Sequence, residues 1–144
     1  MLWNIKKFEQ LTNRELFDIY KARVLVFVVE QECPYPEVDD ADLNCLHIWT
    51  QHNQGVQAYC RLILEEDGIH LGRVLVEQSQ RKSGLGRVLV AKALEVIEEW
   101  YPNVPIHAQA QAYLEKFYEG FGFKAISDVY LEDDIPHIDM LIEK

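Results

Sequence analysis

The most constraining part of this sequence is its middle third. Ile69 to Val76 is an apolar, β-branched run, Glu77 to Ser83 is polar, and from Gly84 to Tyr101 the residues Val90, Ala93, Leu94, Ile97, Trp100 and Tyr101 recur at helical steps before Pro102. A strand that hands over to a long amphipathic helix commits the chain to an α/β layer arrangement, because the helix must lay its apolar stripe on the sheet it has just left. Pro102 stops that helix. The link between the two, Gln80-Arg-Lys-Ser-Gly-Leu-Gly-Arg87, sets two glycines at a helix start. There the free backbone N–H groups and the helix dipole favour a bound phosphate.

The rest of the chain supplies the sheet and its second cover. Residues 2 to 8, with Leu2, Trp3, Ile5 and Phe8, read as a first strand, and Thr12-Asn-Arg-Glu15 has capping-box spacing. A helix opens there, and Leu16, Ile19, Tyr20, Arg23, Val24 and Phe27 form a one-face stripe that carries it to about Val28. Leu46 to Gln51, Val56 to Leu64 and Ile69 to Val76 are separated by His52-Asn-Gln-Gly55 and Glu66-Asp-Gly68, which predicts an antiparallel meander. Pro105 to Ala110 reads as a short strand, Tyr113 to Gly120 as a short helix, and Lys124 to Leu131 and His137 to Ile142 as two last strands. At 144 residues and 49% hydrophobic, the chain has room for one core, so a single domain over 1–144 is expected.

Charge narrows the function. The formal net charge is −10, which removes the main electrostatic attraction to a phosphate backbone and argues against nucleic acid as a partner. Against that background, five basic residues (Arg73, Arg81, Lys82, Arg87, Lys92) fall within 73–92 beside one acid, Glu77. This makes a local cationic site at the glycine link. Glu30, Glu32, Glu37, Asp39, Asp40 and Asp42 crowd the segment Glu30 to Asn44, which carries Pro34 and Pro36 and no hydrophobic period. It reads as a long acidic loop. Its carboxylates face two readings: they attract an acceptor, or they neutralise Arg23, Arg61 and Arg73, which sit in otherwise apolar elements. Cys33, Cys45 and Cys60 lack metal-type spacing, so with His47 and His52 they give no metal site, and a Cys/His nucleophile has nothing to place its thiol beside an imidazole. No apolar run approaches the roughly 20 residues that span a bilayer, and no leader pattern opens the sequence, so a cytoplasmic protein with no membrane partner is expected.

The glycine link and the later aromatic segment together resemble the GNAT superfamily of N-acetyltransferases. Arg81, Gly84 and Gly86 match the signature R/Q-x-x-G-x-G/A, and Phe117, Tyr118, Gly122 and Phe123 match F-Y-x-x-x-G-F. Nearly the whole chain is covered. Val26 to Gln31, Cys33-Pro-Tyr35, Glu37, Asp39, Asp42 and His47, with Ala108 to Gln111 and Glu132 to His137, are similar to the ElaA-type branch. The resemblance implies a single-domain GNAT-like α/β fold, with a mixed, mostly antiparallel, splayed sheet flanked by helices. It implies acetyl-CoA as co-substrate, its pyrophosphate on the N–H groups of Arg81, Lys82, Ser83, Gly84, Leu85, Gly86 and Arg87, and its pantetheine along Val74, Leu75 and Val76. Tyr118 takes the place of the tyrosine that protonates the departing thiolate. Gln111 stands where many relatives carry the asparagine that contacts pantetheine.

Direct acetyl transfer to a primary amine of a small molecule or peptide is therefore expected. Glu30, Glu37, Asp42, His47 and Arg73 are candidates for the acceptor side, and a cationic acceptor suits the acidic loop. The base that takes the amine's proton stays open among Glu30, Glu37, Asp42, His47, Glu77, His107 and His137. A non-catalytic CoA-binding or sensor module is the rival. Oligomeric state is open too, a homodimer included.

Overall fold

The computed structural model describes residues 1–53 and 55–144; Gln54, in the expected turn His52 to Gly55, lies outside the described residues. One eight-stranded sheet runs β1 (Asn4–Lys7), β2 (Leu46–His52), β3 (Gly55–Glu65), β4 (Gly68–Val76), β5 (Ile106–Gln111), β8 (Ile135–Ile142), β6 (Lys124–Ala125), with β7 (Tyr130–Glu132) also on β8. Among the described residues only β4 and β5 pair in parallel, so the mixed and mostly antiparallel sheet is as the sequence suggests.

The expected last strand from Lys124 to Leu131 is instead two pieces. Between β6 and β7, the Asp139 N–H donates to Ser127 Oγ rather than to a strand carbonyl, which interrupts the ladder.

The helices cover opposite faces. Helix α1 (Asn13–Arg23) starts where the capping box requires: Glu15 N–H donates to Thr12 Oγ1 at 3.0 Å and Thr12 N–H to Glu15 Oε1 at 2.9 Å. The helical run passes the expected end at Val28, because Val24–Glu30 widens into a π turn in which Gln31 N–H reaches back to Val26 O at 3.2 Å. Ile19, Val26 and Phe27 pack on Trp49, Val56, Tyr59 and Leu75. On the other face, α2 (Leu85–Trp100) buries Leu85, Leu89, Val90, Ala93, Val96 and Ile97 against Ile48, Cys60, Ile69, Leu71 and Ile106. Each of the large aliphatic side chains contributes about 1.5–3 kcal/mol relative to exposure.

Two features of β4 set up the site. Its register against β3 jumps, since Arg61 faces Gly72 while Tyr59 faces Leu75; two steps on β3 match three on β4. The extra residue is a bulge, and Arg73 within it has φ +49°. The bulge flips the side-chain parity: Ile69 and Leu71 face α2, yet Leu75 faces α1. The second feature is the short parallel ladder to β5, which runs from Ile69↔Ile106 to Leu71↔Ala108 and then stops. Beyond it, the strands part.

Candidate active site

The parting of β4 and β5 leaves a length of β4 backbone without a partner. Glu77 N–H donates to Gln57 O at 2.8 Å and so faces β3; strand alternation then turns the N–H and C=O of Val76 toward the gap. Arg81 Nε meets Val76 O there at 3.0 Å. The gap opens into a cavity of about 570 Å³ whose lining includes Val74, Gln111, Leu114 and Tyr118, the His137 that pairs with Gln111, and Glu65, His70, Glu132 and Asp133.

At the end of β4 lies the glycine link. Lys82 and Gly84 have φ of +67° and +84°, alternating with ordinary values at Ser83 and Leu85, an alternation that turns successive N–H groups toward one concavity. A Cβ built on Gly84 meets nothing within 4 Å, so the glycine is there for its backbone angle. The first-turn N–H groups of α2, at Leu85, Gly86 and Arg87, find no acceptor among the described residues. Arg81 itself is committed: its guanidinium grips the Glu30 carboxylate through both terminal nitrogens. It braces the link to the end of the π turn, a role the sequence did not indicate.

Helix α3 (Glu115–Glu119) carries Tyr118, which is 5% exposed. Phe117 and Phe123 hold the ring edge-on at 5.2 and 5.6 Å. Burial, with the nearby Cys60 and Tyr113, pushes its phenol well above the usual value of 10, so it stays protonated at neutral pH and is a hydrogen-bond donor at the cavity.

The acidic segment behaves differently from the acceptor-side expectation, and Glu37, Asp42 and His47 are corrections. Glu37, Asp42 and His47 are 3%, 1% and 0% exposed, out of reach of an acceptor. Arg23, also fully buried, donates to both Glu37 oxygens (2.9 and 3.1 Å) and both Asp42 oxygens (2.7 and 3.1 Å). Arg61 joins Asp42 to Asp39 at 2.9 and 2.7 Å. Arg73 Nε lies 2.7 Å from Glu37 Oε2 but off the hydrogen-bond direction, so that contact is ionic, and Arg73 Nη2 donates to Glu37 O at 2.9 Å. The physical reason is desolvation: three arginines placed on apolar elements need counter-ions, and the loop folds over to supply them.

Burial alone would raise the Asp42 carboxyl, but the Arg23 hydrogen bonds and charge, with Arg61, outweigh it and hold it below the ordinary carboxylate range. Burial lowers His47, which stays neutral between the Tyr59 hydroxyl at Nδ1 (2.6 Å) and the Asp42 carbonyl at Nε2 (3.0 Å). Cys45, 3.5 Å from the same ring, is pushed up to about 12 by burial and is inert at neutral pH.

Of the other base candidates, Glu30 holds Arg81 and Glu77 caps the turn at Ser79. His107 Nε2 lies against Asp67 O at 3.0 Å. His137 lines the cavity, with Nδ1 against Ile135 O at 2.7 Å. What sequence reasoning missed is part of the cavity lining: Glu65, His70, Gln109, Leu114, Glu132 and Asp133. Gly72 inside an apolar strand was the available signal for the bulge.

Comparison with known proteins gives the family and the fold. Residues 20–144 match the acetyltransferase (GNAT) domain family. A UPF0039 protein of Schizosaccharomyces pombe is 45% identical over 141 residues, covering 96% of this chain and 94% of its own. Protein ElaA of Escherichia coli is 37% identical, over 98% of this chain and 95% of its own. The crystal structure of that ElaA superimposes with a TM-score of 0.95 at 36% identity, over 99% of this chain and 100% of that one. An acyl-CoA N-acyltransferase from Pseudomonas aeruginosa does so with 0.93 at 40%, over 98% and 99%. No helix among the described residues is long and apolar enough to cross a membrane. The chain belongs to the GNAT family of acyltransferases, in its ElaA-type branch.

Proposed function

We propose that the protein moves an acetyl group from acetyl-CoA directly to a primary amine in the gap between β4 and β5. The observation that carries this is the unpaired stretch from Val74 to Val76, set between the N–H concavity at Lys82–Arg87 and the Tyr118 phenol. The pyrophosphate sits on the N–H groups from Lys82 to Arg87, with Arg81 as the brace. Pantetheine pairs with β4 as a missing strand would, with Leu75 in that stretch and Gln111 across the gap. The Val74 N–H, which shares the gap-facing parity of Val76 and lines the cavity with Tyr118, donates to the thioester carbonyl and strengthens that bond as the oxygen gains charge. The amine nitrogen attacks the carbonyl carbon, the C–S bond breaks, and the thiolate takes the Tyr118 proton. The amine's proton goes to His137 Nε2, which the Nδ1 bond to Ile135 O leaves as the lone-pair nitrogen.

A cationic acceptor remains the favoured class, but its attraction comes from Glu132 and Asp133 on the cavity rather than from the loop acids that the arginines occupy. Arg73, 20% exposed at its side chain, orients the cavity end nearest the bulge.

The test is thiol release from acetyl-CoA across amines of different charge. Release that depends on the amine and is fastest for diamines supports the reading. Tight CoA binding without turnover over a broad panel replaces it with a CoA-binding module, and a preference for acidic amines rejects the cationic acceptor alone.

A further inference from the structure

We propose that Glu65, Asp67, His70 and His107 form a site for one divalent transition-metal ion of the zinc class, at the vertex where β4 and β5 begin to part. His70 and His107 are register partners across the short parallel ladder, so their rings project from the same face and stack at 4.5 Å with only 10° between planes. The β3–β4 turn brings carboxylates to them. Asp67 Oδ1 lies 2.7 Å from His70 Nε2, Asp67 Oδ2 3.5 Å from His107 Nε2, and Glu65 Oε2 3.2 Å from His70 Nε2. Donor atoms of Asp67, His70 and His107 all fall within 4.8 Å of one another.

Zinc bonds of about 2.0–2.2 Å to nitrogen and oxygen, set tetrahedrally, hold neighbouring donors roughly 3.3–3.5 Å apart, and the 3.2 and 3.5 Å separations lie close to that edge. The 2.7 Å contact is a hydrogen bond that the ion would replace, and the stacked rings would turn out of parallel for both Nε2 lone pairs to meet it. Two imidazoles with carboxylates suit zinc and its transition-metal neighbours, and disfavour calcium and magnesium, which take oxygen ligands. Binding would replace the imidazole contacts to Asp67 with metal bonds to neutral rings. The support is stiff on one side: Gly68 has φ +135° and packs where a Cβ would lie 2.3 Å from Pro105 O, while Ile69 N–H donates to that carbonyl at 2.9 Å. An ion here would clasp the turn to β5 and fix the strands at the point from which the gap opens.

A second cluster, Asp42, Cys45 and His47, is also close-set, but Arg23 and Arg61 occupy its carboxylate and both ring nitrogens of His47 are engaged.

The experiment uses untagged protein freed of metal with a chelator, then titrated with Zn²⁺, Ca²⁺ or Mg²⁺ alone by calorimetry and thermal melting. One equivalent of Zn²⁺ should bind and raise Tm by about 5–10 °C at roughly a hundredfold excess over Kd. His107→Ala and His70→Gln, each checked for a native far-ultraviolet spectrum, should lose both effects. Binding that is absent in the parent protein overturns the proposal. So does Zn²⁺ binding that survives in both variants, which would place the ion elsewhere, and so does an equal response to Ca²⁺ or Mg²⁺.

Discussion

Replacing Asp42 with asparagine tests the buried ion network most sharply. The substitution keeps shape and removes one charge from a side chain that is 1% exposed. In the parent protein its two oxygens accept from Arg23 Nη1 and Nη2 and from Arg61 Nη1, and one of them also takes the Asp39 N–H. After the change, an amide NH₂ must face one of those guanidinium donors. Arg23 would be left with Glu37, which it shares with Arg73. Removing one partner of a buried ionic cluster costs about 3–5 kcal/mol, because the charge left behind stays desolvated. For a chain of this size that is a fall in Tm of roughly 10–15 °C. The neighbouring Asp40→Asn is the control: Asp40 is exposed, and such surface changes stay within about 0.5 kcal/mol. Thermal and urea melts of the three proteins decide it. If Asp42→Asn melts within a degree or two of Asp40→Asn, the carboxylate is not buried between two arginines and the reading of the loop fails.

The same network sets the acid limit of stability. Asp39 and Asp42 are both held below their unfolded values, the first chiefly by its Arg61 hydrogen bond. Their contribution is therefore complete above about pH 3.9 and is lost as pH falls through the lower folded values, so the Asp42→Asn deficit should shrink toward strongly acid pH in urea melts. His47, buried neutral, adds an earlier loss beginning below about pH 6.5. Tyr118→Phe keeps the ring packing and removes the donor; kcat should fall about tenfold or more while CoA affinity holds, and equal kcat with chemistry rate-limiting would exclude the phenol. Gly68→Ala should cost at least about 2 kcal/mol in urea melts, since the methyl would meet Pro105 O at 2.3 Å with φ at +135°; an unchanged midpoint would mean that the vertex is slack.

Local chemistry made much of this fold legible. The capping box at Thr12, the meander and the long helix ended by Pro102 each depend on residues adjacent in sequence, and each stands within a few residues of where it was read. The Gly84 helix start was readable for the same reason. The ion network was not, because Arg23 and Asp42 are 19 residues apart and Arg73 and Glu37 are 36 apart. The six loop carboxylates read equally well as an acceptor trap or as counter-ions. For Glu37 and Asp42 what decided was burial, a tertiary property. The bulge at Arg73 likewise shows only when β3 is laid beside β4. The vertex cluster needed the parallel register of His70 with His107, two residues separated by the whole crossover.

The central claim is that the gap between β4 and β5 seats the pantetheine arm. A crystal structure with CoA bound measures this directly. The pyrophosphate should lie against the N–H groups of Lys82 to Arg87, the arm should pair with Val74 and Val76, and the sulfur should approach the Tyr118 hydroxyl. CoA lying outside the gap, or reaching it with the sulfur remote from both Val74 and Tyr118, would contradict the account.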